Sequence, residues 1–206
     1  MVVDAFCFKN PFNYNYQGMG PTDFDDVSPD ASAMIESMRA HGYTLATALA
    51  DLIDNCITAD AKNISLRFHW DGASSWISVR DDGHGMSEEA LVNAMRLGST
   101  SPVLDRDESD LGRFGLGLKT ASFSQARRLT VVTNNGEDAP ALRRWDLDHL
   151  ARPDVHSWQL LKSAHQETPV DLVGIEEVHQ KQGTLVLLEV LDRVVANDGG
   201  LNRAED

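Results

Sequence analysis

Basic residues, cysteines and long apolar runs are all scarce in this chain. Lys and Arg total 18 against 32 Asp and Glu, a formal charge of −14, which argues against a protein that coats nucleic acid with its whole surface and leaves room only for a local basic patch. Cys7 and Cys56 form no CxxC pair, so no zinc site is indicated and a reducing compartment is the default. No apolar stretch approaches membrane-spanning length. We therefore expect a soluble, cytoplasmic protein without a membrane partner.

The remaining composition suits a single folded domain. The chain has 206 residues, 42% of them hydrophobic, which fits one domain with a proper core. Residues 1–27 lack periodicity and are expected to form an irregular arm. Residues 193–206 are expected to form a polar tail that leads to a missing C-terminal domain. This leaves 28–192 as the predicted domain.

Apolar periodicity and capping residues divide this domain into helices and strands. Helices are predicted at 28–42 with Ser28 as the cap, and at 44–60, 87–96 and 116–126. Strands are predicted at 63–70, 74–81, 127–133, 141–147, 157–161 and 183–191. Helices come early and strands flank them, which favours an α+β fold with a mixed sheet and helices on one face. Residues 97–114 have the Gly, Ser, Asp and Arg content of a long functional loop.

The six residues DDGHGM (81–86) directly follow a predicted strand. Glycine-rich turns after strands are common, and Asp favours turns, so a plain turn is one interpretation. A calcium-binding EF-hand loop needs an acid five residues before its glycine. Counting back from Gly85 gives Arg80, and from Gly83 gives Ser78, so that interpretation fails. A nucleotide pocket remains as the alternative to a turn.

A second glycine cluster, DLGRFGLGLKT (110–120), lies before a predicted helix. It is not a P-loop, because Leu118 separates Gly117 from Lys119, and it is not a dinucleotide-binding motif, because Thr120 replaces the last glycine. Glycines before a helix still suit phosphate, since bare N–H groups and the helix N-terminus attract anions. A flexible hinge is the compatible alternative.

The predicted helix 44–60 carries an acid and an amide on one face. Asp51 and Asn55 are four residues apart, beside the apolar stripe of Leu45, Leu49 and Leu52. Near that stripe the two polar groups can point into a pocket, and a solvated helix face is the alternative.

The order of the segments DLIDN, DDGHGM, GRFGLGLKT and the strand beginning at Gly183 and Thr184 resembles the GHKL superfamily of ATP-binding domains. The resemblance covers residues 30–192, and the segment GRFGLGLKTASFSQARRLTVVT is most similar to MORC-type and related bacterial proteins. It implies a two-layer α/β sandwich of the Bergerat type, with a mixed, mostly antiparallel sheet, helices on one face and a long ATP lid. It also implies ATP and Mg²⁺ as cofactors.

The resemblance assigns the chemistry to the helix that carries DLIDN. Asp51 matches the catalytic acid that polarises the attacking water, a position at which the family usually has Glu. Asn55 matches the residue that binds Mg²⁺ through its side-chain oxygen. The Asp side chain is one methylene shorter than Glu, whereas a general base must come within about 2.6–3.2 Å of the proton it removes.

Adenine recognition is assigned to DDGHGM and to the last strand. Asp81 matches the acid that accepts a hydrogen bond from the adenine amino group. Further residues of this site are Gly83, Gly85, Met86 and Thr184. The adjacent Asp82 receives no direct role, and His84 is expected to be exposed.

Phosphate binding is assigned to the ATP lid, residues 97–117. The lid residues expected near the phosphates are Ser99, Thr100, Gly112, Arg113, Phe114, Gly115, Leu116 and Gly117. Lys119 follows them and either adds charge at the phosphates or faces solvent.

Three functions follow from the resemblance. The first is slow, Mg²⁺-dependent ATP hydrolysis that gates a conformational change or homodimerisation in a larger protein, with nucleic acid bound only through other domains. The second is a nucleotide sensor without hydrolysis, as the short Asp51 would allow. The third is a protein histidine kinase, which needs a phosphoacceptor His in an upstream hairpin; His41 is the only upstream His.

Overall fold

The computed structural model describes residues 27, 29–40, 43–98, 117–170 and 174–194. In these ranges the strands are β1 (Ile64–His69), β2 (Trp76–Asp81), β3 (Arg128–Asn134), β4 (Ala141–Asp146) and β5 (Gly183–Glu189). The helices are α1 (Ala31–Arg39), α2 (Leu45–Thr58), α3 (Glu88–Met95), α4 (Gly117–Gln125), α5 (Leu147–Leu150) and α6 (Ile175–Gln180). Among these residues, no helix has both the length and the apolar content needed to cross a membrane.

The five strands form one sheet in the order β1-β2-β5-β3-β4. All four pairings between them are antiparallel. The last strand, β5, inserts between β2 and β3, and its Thr184 lies opposite both Asp81 of β2 and Thr133 of β3. The register therefore brings the ends of β2 and β3 beside the beginning of β5.

The sheet has a main helical layer on one face. Alternate residues such as Ile77 and Val79 of β2 are buried against helices α1 to α5, as the predicted helical layer requires. The opposite face carries the short helix α6, whose Ile175 and Val178 cover Leu185 and Leu187 of β5. The core thus has a large half and a small half, separated by the sheet.

Helix α2 forms one wall of the large core. Thr44 caps its N-terminus by accepting a hydrogen bond from the Thr47 N–H at 3.1 Å, as its position before the apolar stripe favours. Leu52 and Cys56 are fully buried, and Leu45 packs against the same core. The predicted stripe therefore fixes which face of α2 remains for Asp51.

The first helix begins later than its sequence pattern indicated. Helix α1 starts at Ala31 because the Asp30 carboxylate accepts a hydrogen bond from the Ala33 N–H at 2.8 Å. A carboxylate also complements the positive end of the helix. Ser28 is thus not the cap, and both it and Gly42 lie outside the described residues.

The predicted strand at 157–161 is also wrong. Only Leu161 pairs with the sheet, in an isolated antiparallel bridge to Arg144 with N–O distances of 2.8 and 2.9 Å. Trp158 instead contacts Trp145 edge to face, with ring centroids 6.2 Å apart. An aromatic contact and a single bridge hold this segment in place of a ladder.

Candidate functional site

A cavity of about 630 Å³ opens where α2, α4 and one end of the sheet meet. This volume lies within the range of small-molecule sites, about 300–1,000 Å³. Six of the residues predicted to bind nucleotide line it together: Asn55, Gly85, Met86, Gly117, Lys119 and Thr184. The fold therefore gathers segments that are far apart along the chain around one space.

The Asp81 carboxylate lies at the end of β2, next to Cys56 and Thr184 of the cavity wall. Its side chain is buried, and Oδ1 accepts a hydrogen bond from the Gly83 N–H at 2.8 Å. Burial raises the pKa of Asp81 above its ordinary value, and backbone hydrogen bonds from Gly83 and Thr184 oppose the shift. Burial likewise raises the pKa of the Cys56 thiol to about 12, and the nearby Asp81 charge adds to this effect. The site thus holds a desolvated carboxyl acceptor beside a protonated thiol.

Two threonines connect the strand ends to the DDGHGM segment. The hydroxyls of Thr184 and Thr133 lie 3.0 Å apart, and Thr133 Oγ1 also accepts a hydrogen bond from the Met86 N–H at 2.9 Å. Thr133 therefore fixes the backbone of a predicted adenine-contacting residue. Sequence reasoning missed this threonine, because in the run RRLTVVT it has the pattern of any sheet residue.

Gly83 and Gly85 are required by the backbone around them. A Cβ on Gly83 would lie 2.5 Å from the Ala59 carbonyl oxygen at the end of α2. A Cβ on Gly85, whose φ is +63°, would lie 2.1 Å from the Asn134 carbonyl oxygen at the end of β3. Neither position can accept a side chain without moving the backbone. The glycines therefore hold DDGHGM tightly between α2 and β3.

Asp82 has a structural function that the sequence did not indicate. Its carboxylate accepts hydrogen bonds from the backbone N–H groups of Lys62 and Asn63 at 2.7 and 2.8 Å, and from Asn63 Nδ2 at 2.8 Å. These bonds lower the pKa of Asp82 to about 2. Asp82 thus ties the segment to the start of β1. His84 is exposed, as expected, on the rim of the cavity.

Asp51 and Asn55 lie on consecutive turns of α2. Asn55 lines the cavity. Asp51 is half-buried, and its Oδ2 accepts a hydrogen bond from the Tyr43 hydroxyl at 2.8 Å. A Cβ on Gly117 would lie 3.9 Å from the same Oδ2. The carboxylate therefore lies beside the first residue of α4.

Lys119 is buried rather than solvent-facing, so the second of its two predicted alternatives is wrong. Its side chain is 1% exposed, and Nζ donates a hydrogen bond to the Ala94 carbonyl oxygen at 2.8 Å. Among the described residues, no carboxylate forms an ion pair with it. Burial lowers the pKa of Lys119 to about 8. A buried cation that has no partner anion among the described residues thus lines the cavity near the start of α4.

Most of the predicted ATP lid lies outside the described residues. This holds for all of its predicted phosphate contacts except the last: Ser99, Thr100, Gly112, Arg113, Phe114, Gly115 and Leu116. The last of them, Gly117, is the first residue of α4 and lines the cavity.

The chain matches a known protein family over most of its length. Residues 43–184 match the family described as histidine kinase-, DNA gyrase B-, and HSP90-like ATPase, which is more than half of the chain. The chain belongs to this family. Its two-layer architecture, with a five-stranded antiparallel sheet, is the Bergerat-type fold of these GHKL ATPases.

The similar curated proteins are GHKL members as well. ATPase morc-1 of Caenorhabditis elegans is 30% identical over 106 residues, which is 50% of this chain and 12% of that protein. DNA mismatch repair protein MutL of Thermosipho africanus is 31% identical over 98 residues, 47% of this chain and 17% of its own length. MutL of Salmonella heidelberg is 29% identical over 119 residues, 54% of this chain and 19% of its own length. The GHKL domain thus matches less than a fifth of each relative.

Proposed function

We propose that this chain binds ATP with Mg²⁺ in the cavity between α2, α4 and the sheet, and hydrolyses it slowly. The observation that carries the proposal is the buried Asp81 carboxylate beside the cavity wall. A buried charged acceptor is costly unless it has partners. The amino group of adenine would add a hydrogen-bond donor to the backbone N–H groups of Gly83 and Thr184 that the carboxylate already has.

The surroundings of Asp81 support adenine as the base. Thr184 adds a hydroxyl next to the carboxylate, and Met86 adds a thioether that adapts to a flat ring. Thr133 holds both through its hydroxyl. The glycines keep this wall free of side chains. A flat base with an exocyclic amine suits this combination of one acceptor and an apolar surface.

The opposite part of the cavity suits phosphate. Gly117 is the first residue of the nine-residue helix α4, and a helix N-terminus offers backbone N–H groups and a partial positive charge to an anion. Lys119 adds a buried cation whose pKa of about 8 leaves it largely protonated at neutral pH. The described residues contain no group of three or more His, Cys, Asp or Glu side chains able to hold a metal. Asn55 would therefore hold Mg²⁺ jointly with phosphate oxygens, and the ion would neutralise phosphate charge.

Asp51 is proposed as the general base for hydrolysis. It lies one helical turn before Asn55 and beside Gly117. Asp51 itself does not line the cavity, but Gly117 beside it does, so a water molecule between the carboxylate and a phosphate at Gly117 would be within its reach. Because Asp is shorter than the usual Glu, we expect slow turnover. Nucleotide-dependent dimerisation and a switch in a larger protein are the proposed use of this cycle, since the named relatives extend far beyond the matched segment.

A nucleotide sensor without hydrolysis is the second candidate, favoured by the short Asp51. Two measurements on the 206-residue chain separate the two functions: the rate of phosphate release, and the ATP affinity by calorimetry. Asp51→Ala should keep the affinity and lower turnover by about 10²–10⁴-fold, whereas Asp51→Glu should raise turnover. Asp54→Asn removes a carboxylate of the same helix that has neither the Tyr43 hydrogen bond nor the proximity to Gly117 of Asp51; it is the matched control and should change neither. Turnover that survives Asp51→Ala would exclude Asp51 as the base. A wild-type chain that binds ATP without releasing phosphate would support the sensor.

A further inference from the structure

Tyr43 lies immediately before the capping residue of α2, and its side chain extends along the helix to Asp51. Its hydroxyl donates a hydrogen bond to Asp51 Oδ2 at 2.8 Å. We propose that Tyr43 is the positioning residue for the Asp51 carboxylate in ATP hydrolysis. This inference rests on the proposed function of Asp51 as the general base.

The backbone of Tyr43 is held by α4. Gln125, the last residue of that helix, is buried and donates a hydrogen bond from Nε2 to the Tyr43 carbonyl oxygen at 2.9 Å. The same Nε2 contacts Ser124 Oγ at 2.9 Å. The other end of α4 is Gly117, beside Asp51. Helix α4 therefore fixes the tyrosine at its C-terminus and meets the carboxylate at its N-terminus.

The hydrogen bond addresses the shortness of Asp51. A carboxylate has two oxygens, and a base needs one of them free for the water proton. With Oδ2 bound to the tyrosine hydroxyl, the rotation of the carboxylate is restricted, and Oδ1 accepts no hydrogen bond from another described residue. A shorter side chain has less reach for correcting its orientation, and small errors in geometry are costly in catalysis. Holding the Asp51 carboxylate in one orientation thus compensates in part for the reach that the longer Glu side chain would have.

The ionisation of Tyr43 reports the same contact. The hydrogen bond to Asp51 raises the pKa of Tyr43 above its ordinary value of 10.0, and burial and the Asp51 charge add to the shift. The chain has three tyrosines, the others being Tyr14 and Tyr16. Replacing those two by Phe leaves Tyr43 as the only phenol whose absorbance changes with pH.

The kinetic test compares Tyr43→Phe in two backgrounds of the 206-residue chain. In the otherwise wild-type chain we expect kcat to fall about tenfold with KM and ATP affinity unchanged, since hydrogen bonds to charged groups are worth about this factor. In Asp51→Ala, Tyr43→Phe should change nothing further, because the carboxylate that it positions is gone. A purely structural tyrosine would lower the rate in both backgrounds and is distinguished in this way.

The titration test does not depend on turnover. In the variant with Phe at positions 14 and 16, Asp51→Ala should lower the pKa of Tyr43 towards 10.0. An unchanged titration would refute the hydrogen bond and with it the positioning role. If the wild-type chain hydrolyses ATP and Tyr43→Phe does not lower kcat, only the Tyr43 assignment is overturned. A wild-type chain without turnover would overturn the hydrolysis proposal and this inference together.

Discussion

Replacing Asp81 by Asn should weaken ATP binding and stabilise the ligand-free protein at the same time. The Asn oxygen can still accept the Gly83 N–H, at 2.8 Å in the wild type, so its amide N–H₂ would face the adenine amino group. In the variant, two hydrogen-bond donors, the Asn amide and the adenine amino group, would then face each other. In the wild type, the charged carboxylate would accept a hydrogen bond from the amino group. Hydrogen bonds to charged groups contribute about 1.5–3 kcal/mol, which corresponds to a loss of roughly 10–100-fold in affinity.

The gain in stability follows from the direction of the pKa shift. Burial raises the pKa of Asp81 in the folded protein, so its ionised form is disfavoured there relative to the unfolded chain. The penalty is absent below the unfolded pKa, grows as pH rises from the unfolded to the folded pKa, and is complete above the folded one. At neutral pH the neutral Asn avoids it, and the melting temperature without ATP should rise.

Asp82→Asn is the matched control, because it is the same chemical change one residue later. The pKa of Asp82 is lowered to about 2, so its carboxylate stabilises the fold above the unfolded pKa and loses this effect as pH falls towards 2. Asp82→Asn should therefore lower the melting temperature at neutral pH and leave ATP affinity unchanged. Calorimetry and thermal denaturation of both variants measure these effects. Unchanged ATP affinity in Asp81→Asn would refute the adenine assignment.

Two further residues give separate tests. Because the pKa of Lys119 is about 8, wild-type ATP affinity should fall as pH rises through this value. Lys119→Met should bind ATP roughly tenfold more weakly at pH 7, and its affinity should depend less on pH. An equally steep pH dependence of ATP affinity in the variant would exclude a phosphate contact. Gly85→Ala should lower the melting temperature clearly more than Gly72→Ala. Both positions have positive φ, and only at Gly85 would the added Cβ meet backbone atoms; equal losses would contradict the close approach to β3.

The sequence was sufficient for the family and for six residues of the cavity wall. The order of DLIDN, DDGHGM and GRFGLGLKT predicted the fold, and Asp81 is buried beside the cavity, where its contact with adenine stays a prediction. The capping site of α1 was missed because Ser28 and Asp30 both suit an N-cap and lie two residues apart. N-cap propensity does not distinguish Ser28 from Asp30, whereas the hydrogen bond that Asp30 accepts from the Ala33 N–H does.

Contacts between distant segments were the other limit. Tyr43 and Asp51 are eight residues apart, and no helical periodicity pairs a residue before a cap with one two turns inside the helix. Thr133 becomes informative only once β5 has inserted between β2 and β3. The burial of Lys119 depends likewise on Ala94 of another helix. Pairwise geometry of this kind depends on tertiary packing, which no single segment specifies.

The register of β5 makes the proposed nucleotide recognition vulnerable to changes far from the cavity. Asp81, Thr184 and Thr133 share one face of the sheet only because their three strands align opposite one another. A slip of one residue would turn every side chain of β5 to the other face of the sheet. It would thereby remove Thr184 from the cavity wall that is proposed to bind adenine. Glu189, at the distant end of the same strand, opposes such a slip, because its buried Oε1 accepts a hydrogen bond from the Thr168 hydroxyl at 2.8 Å that the slip would break. A substitution at Glu189 would therefore weaken the proposed ATP binding while every residue proposed to contact the nucleotide stayed the same.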